Sequence, residues 1–123
     1  MVGYVTLGSN DLDRAIAFYD ALLETLSMKQ IMNDGRMVVW ASDMGKGMLA
    51  VCKPYDEQTA TVGNGVMVAL NAGSAEAVAA VHARALELGA SDEGAPGLRG
   101  GMGHFGYFRD HDGNKLCAFH IGA

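Results

Sequence analysis

Residues 4–23 read YVTLGSNDLDRAIAFYDALL, and their hydrophobic period changes partway along. Tyr4-Val5-Thr6-Leu7 is short, β-branched and aromatic, and it stops at Gly8; it predicts a strand. Ser9-Asn10-Asp11 predicts a helix start, with Asn10 as the cap and Asp11 and Asp13 near the positive end of the helix dipole. Leu12, Ile16, Tyr19, Leu23 and Leu26 then recur at helical spacing, which predicts a helix over about 12–28 with one buried stripe.

Downstream the period returns to strands, over 29–32, 37–41 and 48–52. Asn33-Asp34-Gly35 and Asp43 to Gly47 are the turns between them. Pro54 ends the run, because proline cannot donate to a ladder, and 55–65 reads as a loop. The opening order then recurs. A strand is expected over 66–70, Ser74 is an N-cap, and a helix over 75–88 buries Val78, Val81, Ala85 and Leu88, with His82 on its surface. Gly89 suits the C-terminal cap. Residues 90–103 read as a glycine-rich connection, extended near Ala90-Ser91, with 97–103 (GLRGGMG) as a mobile lid or connector. Strands over 104–109 and 115–121 flank a turn at 110–114.

The chain is therefore a duplicated β-α-β-β-β unit of α+β class, a single domain with module one at about 1–60 and module two at about 64–123. One unit covers only one sheet face with its single helix. Pairing two predicts sheets that curve around a shared space, an incomplete mixed β-barrel enclosing a cavity.

Composition narrows the function. The net charge of -5 carries no basic patch, which argues against nucleic acid as a partner. No apolar run approaches the roughly 18 residues of a membrane helix, and no secretory pattern is visible at the N-terminus. Two cysteines, Cys52 and Cys117, stand far apart outside any CxxC pattern, which predicts a reduced cytoplasmic protein. P-loop, GxSxG and HExxH patterns are absent.

Residues 4–23, together with 106–118 (GYFRDHDGNKLCA) and the loop 53–65 (KPYDEQTATVGNG), resemble the vicinal-oxygen-chelate superfamily, in particular its glyoxalase-like bacterial subfamily. That superfamily includes glyoxalase I, bleomycin-resistance proteins and extradiol dioxygenases. The resemblance spans essentially the whole chain and implies the two-module fold. It implies less about the reaction, since one scaffold serves many chemistries. In metal-dependent members each repeat supplies two ligands, usually His from its first strand and Glu from its last. Those positions here are Tyr4, Ala50, Met67 and Cys117, with Ala50 open to a shift of about one residue onto Leu49 or Val51. Ala50 has no donor atom, Tyr4 offers a phenol and Met67 a soft thioether suited to copper(I). The expectation is therefore no metal and no cofactor.

A metal-free pocket suits the same residues. Strand alternation groups Tyr4 with Thr6, Met67 with Ala69, Cys117 with Phe119, and Met48 with Ala50 and Cys52. With the helices over the Val5/Leu7 and Val68/Leu70 faces, these groups line either a binding cavity or a plain core. The candidate ligand-binding set is Tyr4, Thr6, Trp40, Ala50, Met67, His104, Cys117 and Phe119. His104 follows a flexible stretch and reaches the cavity mouth, and Arg99 is available to an anionic group. His111 is expected in solvent, His120 on the helix side, and Asp110 and Asp112 in backbone bonds of their turn. The leading function is binding of a small organic molecule. The alternatives are a lactoylglutathione-lyase-type or other metal-assisted lyase or isomerase, and sequestration of a drug or toxin. A homodimer is expected, because exposed half-barrel edges call for a cover.

Overall fold

The computed structural model describes residues 1–122. The chain forms two compact units, the first spanning Met1–Val62 and the second beginning at Gly63.

In the first unit, β1 (Tyr4–Gly8) leads to α1 (Leu12–Glu24), then β2 (Lys29–Asn33), β3 (Met37–Ala41) and β4 (Met48–Cys52). The sheet order is β1-β4-β3-β2, with β1 parallel to β4 and the other pairs antiparallel. The N-cap of α1 is Asp11, one residue beyond the expected Asn10: its Oδ1 accepts the Arg14 N–H at 3.1 Å. Asn10 instead clamps the distant loop, donating from Nδ2 to the Ala60 carbonyl at 3.1 Å and accepting the Ala60 N–H at 2.7 Å. The helix ends at Glu24, short of the expected 28. Ser27 turns left-handed at φ 58°, and the Met28 N–H returns to the Leu23 carbonyl at 3.0 Å. The buried stripe is Leu12, Ala15, Phe18, Tyr19, Leu22 and Leu23. It packs on the sheet through Trp40, whose ring lies 5.8 Å from that of Tyr19.

In the second unit, β5 (Val68–Asn71), α2 (Ala75–Glu87), β6 (Ser91–Arg99), β7 (Gly103–Arg109) and β8 (Lys115–Ile121) repeat the plan, in sheet order β5-β8-β7-β6. Ser74 caps α2 as expected, its Oγ accepting the Ala77 N–H at 3.1 Å. The glycine-rich connection is corrected. It is strand β6, and residues 97–103 are the end of that strand, a hairpin turn and the start of β7, with no lid. Gly100 and Gly101 both take positive φ, 60° and 67°, which the tight turn demands, and the Met102 N–H closes it on the Arg99 carbonyl at 3.2 Å. Register shifts between Asp92 and Gly94 and between Gly94 and Gly97 break the alternation that would have revealed β6 in the sequence.

His82 is also corrected, from surface to buried, with 5% of it exposed. It sits four residues after Val78 and three before Ala85, so it belongs to the apolar stripe. Its Nε2 lies 3.1 Å from Asp92 Oδ1 and 3.2 Å from the Tyr107 carbonyl, two acceptors that remove the cost of burying the imidazole.

The duplication is written into the hydrogen-bond register. In the first unit Thr6 pairs Ala50 across β1 and β4, and in the second Ala69 pairs Cys117 across β5 and β8. Ala50 and Cys117 are therefore equivalent, which fixes the register of the first unit's last strand. The turn after β7 is as expected: Asp110 Oδ1 accepts the N–H groups of Asp112 and Asn114, each at 2.9 Å. Among the described residues no helix is long and apolar enough to cross a membrane.

Candidate functional site

Each sheet has one face under its helix and one free of it. In the first unit Trp40 pairs Leu49, which pairs Val5, and Trp40 Nε1 donates to Asp20 of α1 at 2.8 Å. Val5, Leu49 and Trp40 therefore face the helix. Tyr4, Thr6 and Ala50 share the opposite face with Val39 and Cys52. The structure thus separates Trp40 from the rest of the candidate set in its own sheet. Tyr4 is exposed and Ala50 fully buried.

In the second unit a Cβ on Gly106 would stand 3.3 Å from His82, and the Phe108 ring centroid is 6.4 Å from that of His82. The even-numbered residues of β7 therefore face α2. His104 is one of them, opposite His120, so it lies on the helix side, away from Cys117 and Phe119. Its Nδ1 is buried without a hydrogen-bond partner. Met67 precedes β5 and is exposed.

The helix-free face of the second sheet carries a feature the sequence set only touched. Phe105, Tyr107, Cys117 and Phe119 share it. Phe105 and Tyr107 lie with ring centroids 6.3 Å apart and planes 8° from parallel, and Phe105 and Phe119 lie 6.0 Å apart at 15°. These three half-buried rings form a ladder. Two cations flank it: the Arg99 guanidinium carbon is 5.8 Å from the Tyr107 ring centroid, and Lys115 Nζ is 5.4 Å from it. Gly94 and Gly97 lie opposite Tyr107 and Phe105 on β6. A Cβ at Gly94 would come 3.0 Å from the Tyr107 ring, and one at Gly97 2.9 Å from Arg99 Nη1. Two glycines therefore clear the strip in which the guanidinium lies. The signal for Phe105 and Tyr107 was present in the sequence, as their alternation within HFGYFR sets them on the face of Cys117 and Phe119.

Cys117 is fully buried in this face, and burial pushes its thiol up. That disfavours the thiolate, the form that attacks electrophiles. The positions that the family resemblance implies for ligands thus offer an exposed phenol and a methyl group in the first unit, Tyr4 and Ala50, and an exposed thioether and a buried thiol in the second, Met67 and Cys117. Neither pair offers the imidazole or carboxylate donors that zinc, nickel, iron and manganese take. Among the described residues no cluster of three or more His, Cys, Asp or Glu is placed to hold a metal ion.

A separate cavity of about 480 Å³ opens in the first unit. Ser9, Asn10, Arg36, Lys53, Glu57 and Gln58 are among the residues that line it, and none of them belongs to the candidate set. Arg36 braces it, donating from Nη1 to the Lys53 carbonyl at 2.9 Å and lying 5.6 Å from the Tyr55 ring centroid.

Residues 1–118 match the family model of the Glyoxalase/Bleomycin resistance protein/Dioxygenase superfamily. A glyoxalase/bleomycin resistance protein from Albidiferax ferrireducens T118 is similar at 36% identity and a TM-score of 0.91, over 99% of both chains. A lactoylglutathione lyase from Agrobacterium tumefaciens shares the fold at 19% identity and a TM-score of 0.70, over 97% of this chain and 92% of its own. The fosfomycin resistance protein FosX from Mesorhizobium loti does so at 18% identity and a TM-score of 0.69, over 100% and 92%. Among curated proteins none matches.

Proposed function

Because the chain belongs to the Glyoxalase/Bleomycin resistance protein/Dioxygenase superfamily, whose scaffold serves many chemistries, its function rests on its own residues, and we propose that it binds a small organic molecule without a divalent metal. One observation carries the reading: the positions that the family resemblance implies for metal ligands hold Tyr4 and Ala50 in the first unit and Met67 and Cys117 in the second. In place of metal donors the helix-free face of β7 and β8 presents aromatic rings beside cations, an apolar surface with a few polar groups. The metal-assisted lyase or isomerase reading needs donors that Ala50 and Met67 do not have. The two free cysteines fit a reducing cytoplasm.

The test is elemental analysis of the purified protein combined with calorimetric binding of a fragment set, before and after treatment with EDTA. The expected result is no stoichiometric metal and unchanged binding after chelation. Stoichiometric zinc, nickel, iron or manganese, lost in Cys117→Ser or Met67→Leu, overturns the proposal.

A further inference from the structure

The aromatic ladder has a polarity along its length. Phe105 and Phe119 form an apolar end, and Tyr107 a charged one. Arg99 reaches Tyr107 from β6 and Lys115 from β8, on either side of β7. Their neighbour Arg109 is neutralised by Glu93 at 2.7 Å. Among the described residues no carboxylate pairs with Arg99 or Lys115. Two of the Arg99 N–H groups are engaged, at the Ala95 carbonyl at 2.6 Å and the Leu98 carbonyl at 3.4 Å. A guanidinium carries five such donors, so others are left over. In a chain with a net charge of -5, two cations without acidic partners beside stacked rings are complementary to an anion that also carries a flat apolar body.

We infer that the ligand class is a planar aromatic carboxylate, its ring system stacked at the Phe105–Phe119 end of the ladder and its carboxylate at the Tyr107 end with Arg99 and Lys115. The inference rests on the binding function proposed above and names the ligand class of that site. Stacking selects a flat π-system over a saturated ring of similar size. The cations select an anion over its neutral amide, because the amide offers no charge to offset the desolvation of Arg99.

The experiment titrates 2-naphthoate, 2-naphthamide and decahydro-2-naphthoate into the wild type, Arg99→Gln, Lys115→Gln and Phe119→Leu, by calorimetry and by chemical-shift mapping. For the wild type, 2-naphthoate is expected to bind about tenfold more tightly than either analogue, the scale of one charge-assisted hydrogen bond or one stacking contact. Arg99→Gln and Lys115→Gln should each weaken naphthoate by about three- to tenfold and leave the amide unchanged. Phe119→Leu should weaken both aromatic probes. The amide shift map reports whether each variant is folded. Equal affinity for naphthoate and naphthamide, or no response of naphthoate to either charge variant, overturns the inference and leaves the binding function standing. Binding of probes only after loading with zinc or nickel overturns the binding function itself. No binding of 2-naphthoate at millimolar concentration overturns the inference, and the fragment set of the preceding experiment then decides the binding function separately.

Discussion

Trp40 has its whole side chain buried, yet its one polar atom is satisfied by an exposed residue: Asp20 Oδ1 accepts from the indole at 2.8 Å and from Gln30 Nε2 at 3.1 Å. Asp20→Ala leaves that donor orphaned and should lower stability by about 1–3 kcal/mol in urea unfolding, whereas Asp20→Asn keeps an amide oxygen in place and should recover most of the loss. An Asp20→Ala protein as stable as the wild type would show that the bond contributes nothing. Cys117 leads to a chemical prediction. Its buried, protonated thiol should resist iodoacetamide at neutral pH while half-buried Cys52 reacts, and denaturant should expose both. Peptide mapping after short labelling checks it, and native-state labelling of Cys117 would contradict the packing.

At the scale of elements, α1 and α2 were legible from their helical period and β3, β4 and β8 as short, largely apolar runs between turn signals, and the caps at Ser74 and Gly89 were readable from residue type. β6 was not legible, since bulges at Gly94 and Gly97 and a proline at 96 erase a period of two. His82 was misread because it was placed off the apolar stripe, which is wide enough to include it beside Val78, Val81 and Ala85. The candidate site was legible only in part: alternation grouped Cys117 with Phe119 but could not say that Trp40 and His104 turn toward the helices, which needs the pairing partners. The contact between α2 and β6 is expected to be acid-sensitive. The Gly94 N–H, first, and then His82 hold the Asp92 carboxyl below its usual 3.8, against the opposing effect of desolvation. A carboxyl lowered on folding stabilises the fold above its unfolded pKa and loses that contribution as pH falls through the folded value. Amide protection in β6, corrected for the intrinsic exchange rate at each pH, should therefore fall as the pH drops below about 3.8, more in the wild type than in Asp92→Asn. Identical acid profiles in the two proteins would contradict this linkage.

For the whole molecule, β1, β2, β5 and β6 are all edge strands of open sheets, and every residue of β2 is exposed, including Ile31 and Met32. Unpaired apolar edges favour association, so light scattering at micromolar concentration should give the mass of two chains, and the mass of one would remove the homodimer. The repeated register has a further consequence, in the order in which the chain is made. In each half the last strand lies inside the sheet, between the first strand and the third. Neither sheet can close until its final segment has left the ribosome, and hairpins formed earlier wait as partial structures. In the first half that segment ends at Cys52 and in the second at Ile121. The leading half can thus mature while the trailing half is still being synthesised. A stop codon within residues 115–121 would remove the centre of the second sheet and leave the first half's ladders complete.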